Sequence, residues 1–253
     1  MLPYIHIFNQ AISMYWLFMI AGIFFAVALA LVRRRDAQFR TSTANLLYTL
    51  LICASGGFIG AKLLDIIVNL IFESSNPDFW TLENWTVIMQ GTGFGYGALI
   101  IGVLAGYIFV RIEKLDFWEL ADILVPSLLL MHVLGRLGCF FAGCCFGREV
   151  AWGVIMPSGV PLIPVQLFEA GFNLLILAEM LIWRPERKRP GILLPLYLIA
   201  YSVARFVLEF FRADAGRGVF ILSTSQWISL AIFPAGVYLL WRVMKRQQEC
   251  KNS

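Results

Sequence analysis

Seven long apolar runs, each bounded by a short polar or basic stretch, fill most of the 253 residues. They cover roughly 11–32, 46–71, 87–110, 118–135, 164–183, 191–211 and 226–241. A helix that crosses a bilayer needs about 20 apolar residues, so each run reads as one membrane span. The third, GTGFGYGALIIGVLAGYIF, is rich in glycine, which favours close helix contact or a broken helix. Between the fourth and fifth, residues 136–163 are rich in Gly and Cys and read as a segment dipping back into the membrane. The opening MLPYIHIFNQ has no basic n-region, and no small-residue cleavage motif follows it, so the first run is expected to remain as a helix. No repeat and no low-complexity linker interrupts the pattern. The expectation is an all-α integral membrane protein of about seven transmembrane helices, one membrane-embedded domain over 1–253.

Composition sharpens this. The chain is 60% apolar and 14% charged, with a mean hydropathy of +0.77. A soluble domain is nearer half apolar and about a quarter charged. A soluble enzyme, a nucleic-acid binder and a secreted disulfide scaffold are thereby excluded. The 20 Lys and Arg residues are unevenly placed. Fourteen fall in four segments: Arg33, Arg34, Arg35 and Arg40; Arg111 and Lys114; Arg184, Arg187, Lys188 and Arg189; Arg242, Lys245, Arg246 and Lys251. The opposite segments carry only Arg148, Arg212 and Arg217. The positive-inside rule then predicts an outer N-terminus and a cytoplasmic C-terminus, which agrees with seven crossings.

Three basic residues lie within or at the ends of apolar runs: Lys62, Arg136 and Arg205. A charge in the hydrocarbon region faces a cavity or a partner. Lys62 and Asp65, three apart, read as a pair on one helix face. Arg205, Glu209 and Arg212 share a helix face at spacings of four and three. They read either as a self-cancelling ion pair that holds helices together or as a guanidinium kept for an anion and oriented by Glu209. Arg136 lies between Gly135 and Gly138, with no acidic neighbour in sequence before Glu149. Small flanking residues let a phosphate approach, and guanidinium binds phosphate in a bidentate way. By the predicted topology both arginines lie near one leaflet, where a lipid headgroup phosphate is the natural anion. Gln166 and Glu169 add a polar stripe at the outer start of the fifth span.

Cys139, Cys144 and Cys145 fall within seven residues. Their C-x4-C-C spacing is not a zinc pattern and the chain has two histidines, so no metal site and no cofactor are assigned. A disulfide, a thiol activated by Arg136, and simple packing of a Gly-rich turn stay open. His132, one turn before Arg136, reads as a packed core histidine.

The segment GRLGCFFAGCCFG (135–147) resembles the signature of bacterial prolipoprotein diacylglyceryl transferases, G-R-x-G-N-F-x-N-G-E-x-x-G. Further segments follow in family order. YWLFMIAG (15–22) is similar to the first-helix Tyr segment, and GYGALIIG (95–102) to the His-Gly-Gly-Leu segment of the third span. ADILVPSLLLMHVLGR carries the Asp and Pro that precede the signature. PVQLFEA resembles the end of H-P-S-Q-L-Y-E-A, YSVARFVLEFFRAD resembles R-F-x-x-E-F-x-R, and LSTSQWISL resembles the closing motif. The resemblance implies transfer of an sn-1,2-diacylglyceryl group from phosphatidylglycerol to the lipobox Cys of a prolipoprotein, at the outer face of the bacterial inner membrane. It implies that Arg136 and Arg205 hold the phosphate, that Glu209 orients Arg205, and that Tyr15 and Tyr201 line the headgroup site. Gly147 would close the turn, with Gly97, Gly135, Gly138, Gln166, Glu169 and Arg212 as further binding residues.

Several positions depart from the family pattern. Cys139 stands for its signature Asn, Cys144 for its Glu and Ala142 for its second Asn. Tyr96 stands for the motif His, while Ile163 and Phe168 replace the His and Tyr of the fifth-span motif. Tyr96, Glu209 or a cysteine (Cys139 or Cys144) is then expected to replace the usual base. Two other readings remain: the same fold and lipid donor with a different acceptor, or a non-enzymatic lipid binder or transporter. A retinal receptor is excluded, because 226–241 contains no Lys for a Schiff base.

Overall fold

The computed structural model describes residues 4–7, 10–36, 39–73, 80–81, 85, 95–155, 159–212, 218–219 and 221–252. Each expected span contains a helix: α1 (Met14–Arg34), α2 (Thr43–Glu73), α3 (Gly95–Ile112), α4 (Phe117–Ala142), α5 (Val165–Trp183), α6 (Leu193–Glu209) and α7 (Thr224–Asn252). Among the described residues, α1, α2, α4, α5 and α7 are long and apolar enough to cross a membrane, and α3 and α6 are shorter. Large apolar side chains face outward, as Phe24 (66% exposed), Phe58 (69%) and Ile182 (74%) do. Such surface is stable against lipid and would not be kept in water. The chain is a multi-pass integral membrane protein.

One boundary differs from the expectation. The fourth span, expected to end at 135, continues as α4 to Ala142. Arg136 and Cys139 are therefore helical residues. The apolar pattern stopped at 135 because two glycines and an arginine follow, yet those glycines serve helix packing. Short antiparallel pairs also decorate the helices: Tyr4–Ile7 with Gln10–Ser13, Glu149–Ile155 with Pro161–Leu162, and Gly218–Val219 with Leu222–Ser223.

The chain forms two compact units, 40–120 and the remainder, 1–39 with 121–253. In the first, Ser42 caps α2 by accepting from the Asn45 N–H (3.1 Å), and Asp116 caps α4 by accepting from Trp118 N–H (2.9 Å). Glu119 accepts from the backbone N–H of Arg40 and from Thr41, tying the two helix starts together. Along α2 and α3 the small residues Gly56, Gly60, Gly97, Gly102 and Ala105 meet, and a Cβ on Gly60 would run into the Gly97 carbonyl. The glycine-rich third run is thus a close helix contact. Asp65 accepts from Asn69 Nδ2 at 3.2 Å.

The second unit is built on Val125, Leu129, Ile176, Leu177, Met180, Ile192, Leu193 and Tyr197. At one end, buried Arg33 pairs with Glu186 (3.0 Å) and donates to the Asp122 carbonyl (2.9 Å). The Asp122 carboxylate accepts from the N–H groups of Gly191 and Leu193 and so caps the start of α6. At the other end α1 lies close on α4: a Cβ on Gly138 would sit 3.0 Å from Phe18 Cβ and 3.4 Å from the Tyr15 carbonyl oxygen. That approach brings Tyr15 to the turn where Arg136 and Cys139 project.

Candidate active site

One end of the second unit collects charge from α4, α5 and α6. Arg136 on α4 reaches Glu169 on α5, Nη2 to Oε1, at 2.9 Å. His132, one turn earlier, brings Nε2 to the same oxygen at 3.2 Å, and the Tyr201 hydroxyl donates to it at 3.2 Å. Glu169 is 2% exposed, and its Oε2 is buried with no hydrogen-bond partner. One turn along α5, Asn173 Nδ2 donates to the Glu169 backbone carbonyl (2.9 Å). The acidic partner of Arg136, which the local sequence did not reveal, thus comes from a helix 33 positions away.

Arg205 and Glu209 lie four apart on α6 and form an ion pair at 2.8 Å. Ser225 at the start of α7 accepts from the same guanidinium at 3.0 Å. Arg212, just past the helix end, brings Nε to 3.9 Å from Glu209. Arg205 Nη1 is buried and lacks a hydrogen-bond partner. The structure therefore contains the Arg205–Glu209 ion pair of the first reading, with one guanidinium nitrogen left outside it. The charges of Arg136 and Arg205 both act on Glu169 and on Tyr201, so the two arginine pairs share one neighbourhood. Among the described side chains there, three guanidinium groups face two carboxylates.

A cysteine cluster adjoins this group. Gly143 (φ 71°) and Cys145 (φ 60°) both take the left-handed backbone conformation, reversing the chain just past α4. The Cys144 thiol points back toward the Cys139 carbonyl at 3.6 Å, and Gln166 Nε2 donates to the Cys144 carbonyl. All three Sγ atoms lie within 4.8 Å of one another, and all three residues are free thiols. The Cys145 thiol is held far below the ordinary thiol range by hydrogen bonds from Cys139 and Cys144, with Arg136 and Arg212 adding positive charge. Three convergent sulfurs suit a soft metal ion. The fold achieves what the C-x4-C-C spacing alone did not suggest.

The remaining expected residues fall as follows. Tyr15 is half-buried, with Arg136 and the three cysteines in electrostatic reach of its phenol. Gly135 faces Met19, where a Cβ would stand 3.6 Å from the sulfur. Gly147 is buried, donates to the Ile163 carbonyl (2.8 Å) and pairs with Arg212. A Cβ there would collide with the Phe211 carbonyl oxygen, so Gly147 closes the turn by close packing. Gly97 packs on Gly60 in the first unit, and the Tyr96 side chain lies outside the described residues. Sequence reasoning read His132 as a packed core histidine, and its contact with Glu169 was not foreseen. Its signal was the four-residue spacing to Arg136, which sets both on one helix face.

The family model for prolipoprotein diacylglyceryl transferase matches residues 3–242. Proteins named phosphatidylglycerol–prolipoprotein diacylglyceryl transferase align along the chain. The one from Geobacter sulfurreducens is 35% identical over 92% of this chain and 90% of its own length. That of Clostridium tetani is 34% identical over 73% and 75%, and a protein of Clostridium perfringens named with the suffix 2 is 33% identical over 94% and 93%. The family match runs through Arg136 on α4 and Arg205 on α6, and the chain belongs to the prolipoprotein diacylglyceryl transferase family.

Proposed function

We propose that this chain moves an sn-1,2-diacylglyceryl group from phosphatidylglycerol to the lipobox cysteine of a prolipoprotein. The observation that carries the reading is the half-buried pair of arginines, Arg136 and Arg205, each held by its own carboxylate. A phosphodiester headgroup carries one negative charge, and guanidinium groups bind such a phosphate through paired N–H donors. As the acceptor sulfur bonds to the glyceryl carbon, the carbon–oxygen bond to phosphate breaks. The electron pair leaves with glycerol 1-phosphate, which becomes more anionic than the diester. Fixed guanidinium groups stabilise that gain of charge more than they stabilise the bound lipid, which is the condition for catalysis. Arg205 Nη1, buried and without a partner, is the donor held ready for it.

The thiol proton needs an acceptor. Glu209 is committed to the ion pair with Arg205. His132, with a proton on Nε2 directed at Glu169, presents Nδ1 as the free base, and Glu169 stabilises the imidazolium that forms. This arrangement substitutes for the family His that Tyr96 replaces. The excess of Lys and Arg in the opposite segments supports a site that faces the outer leaflet of the bacterial inner membrane, where a prolipoprotein presents its lipobox.

Release of glycerol 1-phosphate from phosphatidylglycerol vesicles tests the donor half. Purified protein should release it only when a lipobox peptide thiol is added, and Arg136→Ala and Arg205→Ala should each abolish it. Release that persists in both variants would remove these arginines from the chemistry. Turnover without any thiol would favour another acceptor.

A further inference from the structure

The geometry points to a tris-thiolate binding site for a soft, thiophilic cation, formed by Cys139, Cys144 and Cys145. It goes beyond the transfer reaction and does not depend on it. Cys139 comes from the last turn of α4, and the left-handed residues Gly143 and Cys145 fold the chain back so that all three sulfurs meet. A left-handed conformation is uncommon for a residue with a side chain and costs of order 1 kcal/mol or more, so it marks a backbone the surroundings enforce.

The dimensions fit. Zinc–sulfur bonds are about 2.3 Å, which places the corners of a three-sulfur site about 4 Å apart. The three Sγ atoms lie within 4.8 Å of one another, so small side-chain rotations close the triangle. Thiolates select Zn(II), Cd(II) and Cu(I) over the hard cations. On binding, three sulfur–metal bonds form and the thiol protons leave to solvent. A divalent ion with three thiolates has one net negative charge, and Arg136 and Arg212 act on Cys145 from beside it. Cys144 is exposed while Cys139 and Cys145 are half-buried, so the metal would keep one coordination position open toward the outside.

The test uses the full chain in detergent, fully reduced, with reductant removed under argon and Cd(II) alone titrated in. One equivalent should produce a sulfur-to-metal charge-transfer band. Cys139→Ser, Cys144→Ser and Cys145→Ser should each weaken binding by more than about 100-fold, exceeding the loss seen for an outer-shell partner. Cys53→Ser, far from the cluster in sequence, should leave it unchanged. A measurement without variants guards against misfolding: Cd(II) should protect the three clustered thiols together from alkylation, read by peptide mass, while Cys53 gains no protection. Absence of the band, a band that survives all three serine substitutions, or a chain two hydrogens lighter that takes up no cadmium would overturn the site, the last in favour of a disulfide.

Discussion

Replacing Glu169 by Gln removes one charge from the most connected point of the site. Its Oε1 takes contacts from Arg136 at 2.9 Å, His132 at 3.2 Å and Tyr201 at 3.2 Å. The Gln amide oxygen still accepts, so hydrogen bonds persist but lose charge assistance. That difference is about 1–1.5 kcal/mol per strong bond. Arg136, whose side chain is 18% exposed, would then sit without its counter-ion. Breaking a buried pair outright costs about 3–5 kcal/mol, whereas polar contacts in membrane bundles average about 0.6 kcal/mol. A loss of about 2–3 kcal/mol is expected between these limits. Reversible unfolding in mixed detergent micelles would measure it, and a double-mutant cycle with Arg136→Gln isolates the pair. The expected coupling is at least about 1.5 kcal/mol. A coupling within about 0.5 kcal/mol of zero, the additivity of independent sites, would show that the two groups do not rely on each other.

At the other end of the same unit, Glu186→Ala should destabilise the protein by about 3–5 kcal/mol, because it strands buried Arg33 without its partner. Arg187→Ala, which removes an exposed contact to Asp36, should leave the melting temperature unchanged. Gly147→Ala forces a methyl group against the Phe211 carbonyl and the Val165 and Ile163 side chains, and should cost about 1–3 kcal/mol by the same unfolding assay. His132→Asn should lower kcat for diacylglyceryl transfer by about 10²–10⁴-fold with KM for phosphatidylglycerol nearly unchanged, as loss of a proton acceptor requires. Equal loss in KM and none in kcat would make His132 a binding residue instead.

The helices were legible because lipid imposes one rule, about 20 apolar residues per crossing, and the chain obeys it. Where the rule gives way, the reading stopped short: Gly135, Arg136 and Gly138 ended the apolar pattern, while in the fold Gly138 lets α1 approach and α4 runs on to Ala142. Arg205 and Glu209 were legible as a pair because helical spacing of four is local. Arg136 and Glu169 were singled out separately, but their contact spans two helices and leaves no local trace. The same holds for Arg33, which counted only toward the charge asymmetry, and Glu186, which the sequence did not single out. The cysteines were visible as a cluster, and their convergence required the two left-handed residues after α4, one of them a cysteine that no glycine preference marks.

The central claim is that a thiol receives the diacylglyceryl group under the control of the α4 and α6 arginines. Mass spectrometry of a lipobox peptide, incubated with the protein in phosphatidylglycerol vesicles, addresses it most directly. The expected result is one diacylglyceryl adduct on the peptide cysteine, none on a Cys→Ser peptide, and none with folded Arg136→Ala protein. An unmodified peptide in the presence of folded wild-type protein would contradict the assignment of the acceptor, and an undiminished adduct with Arg136→Ala would contradict the assignment of the site.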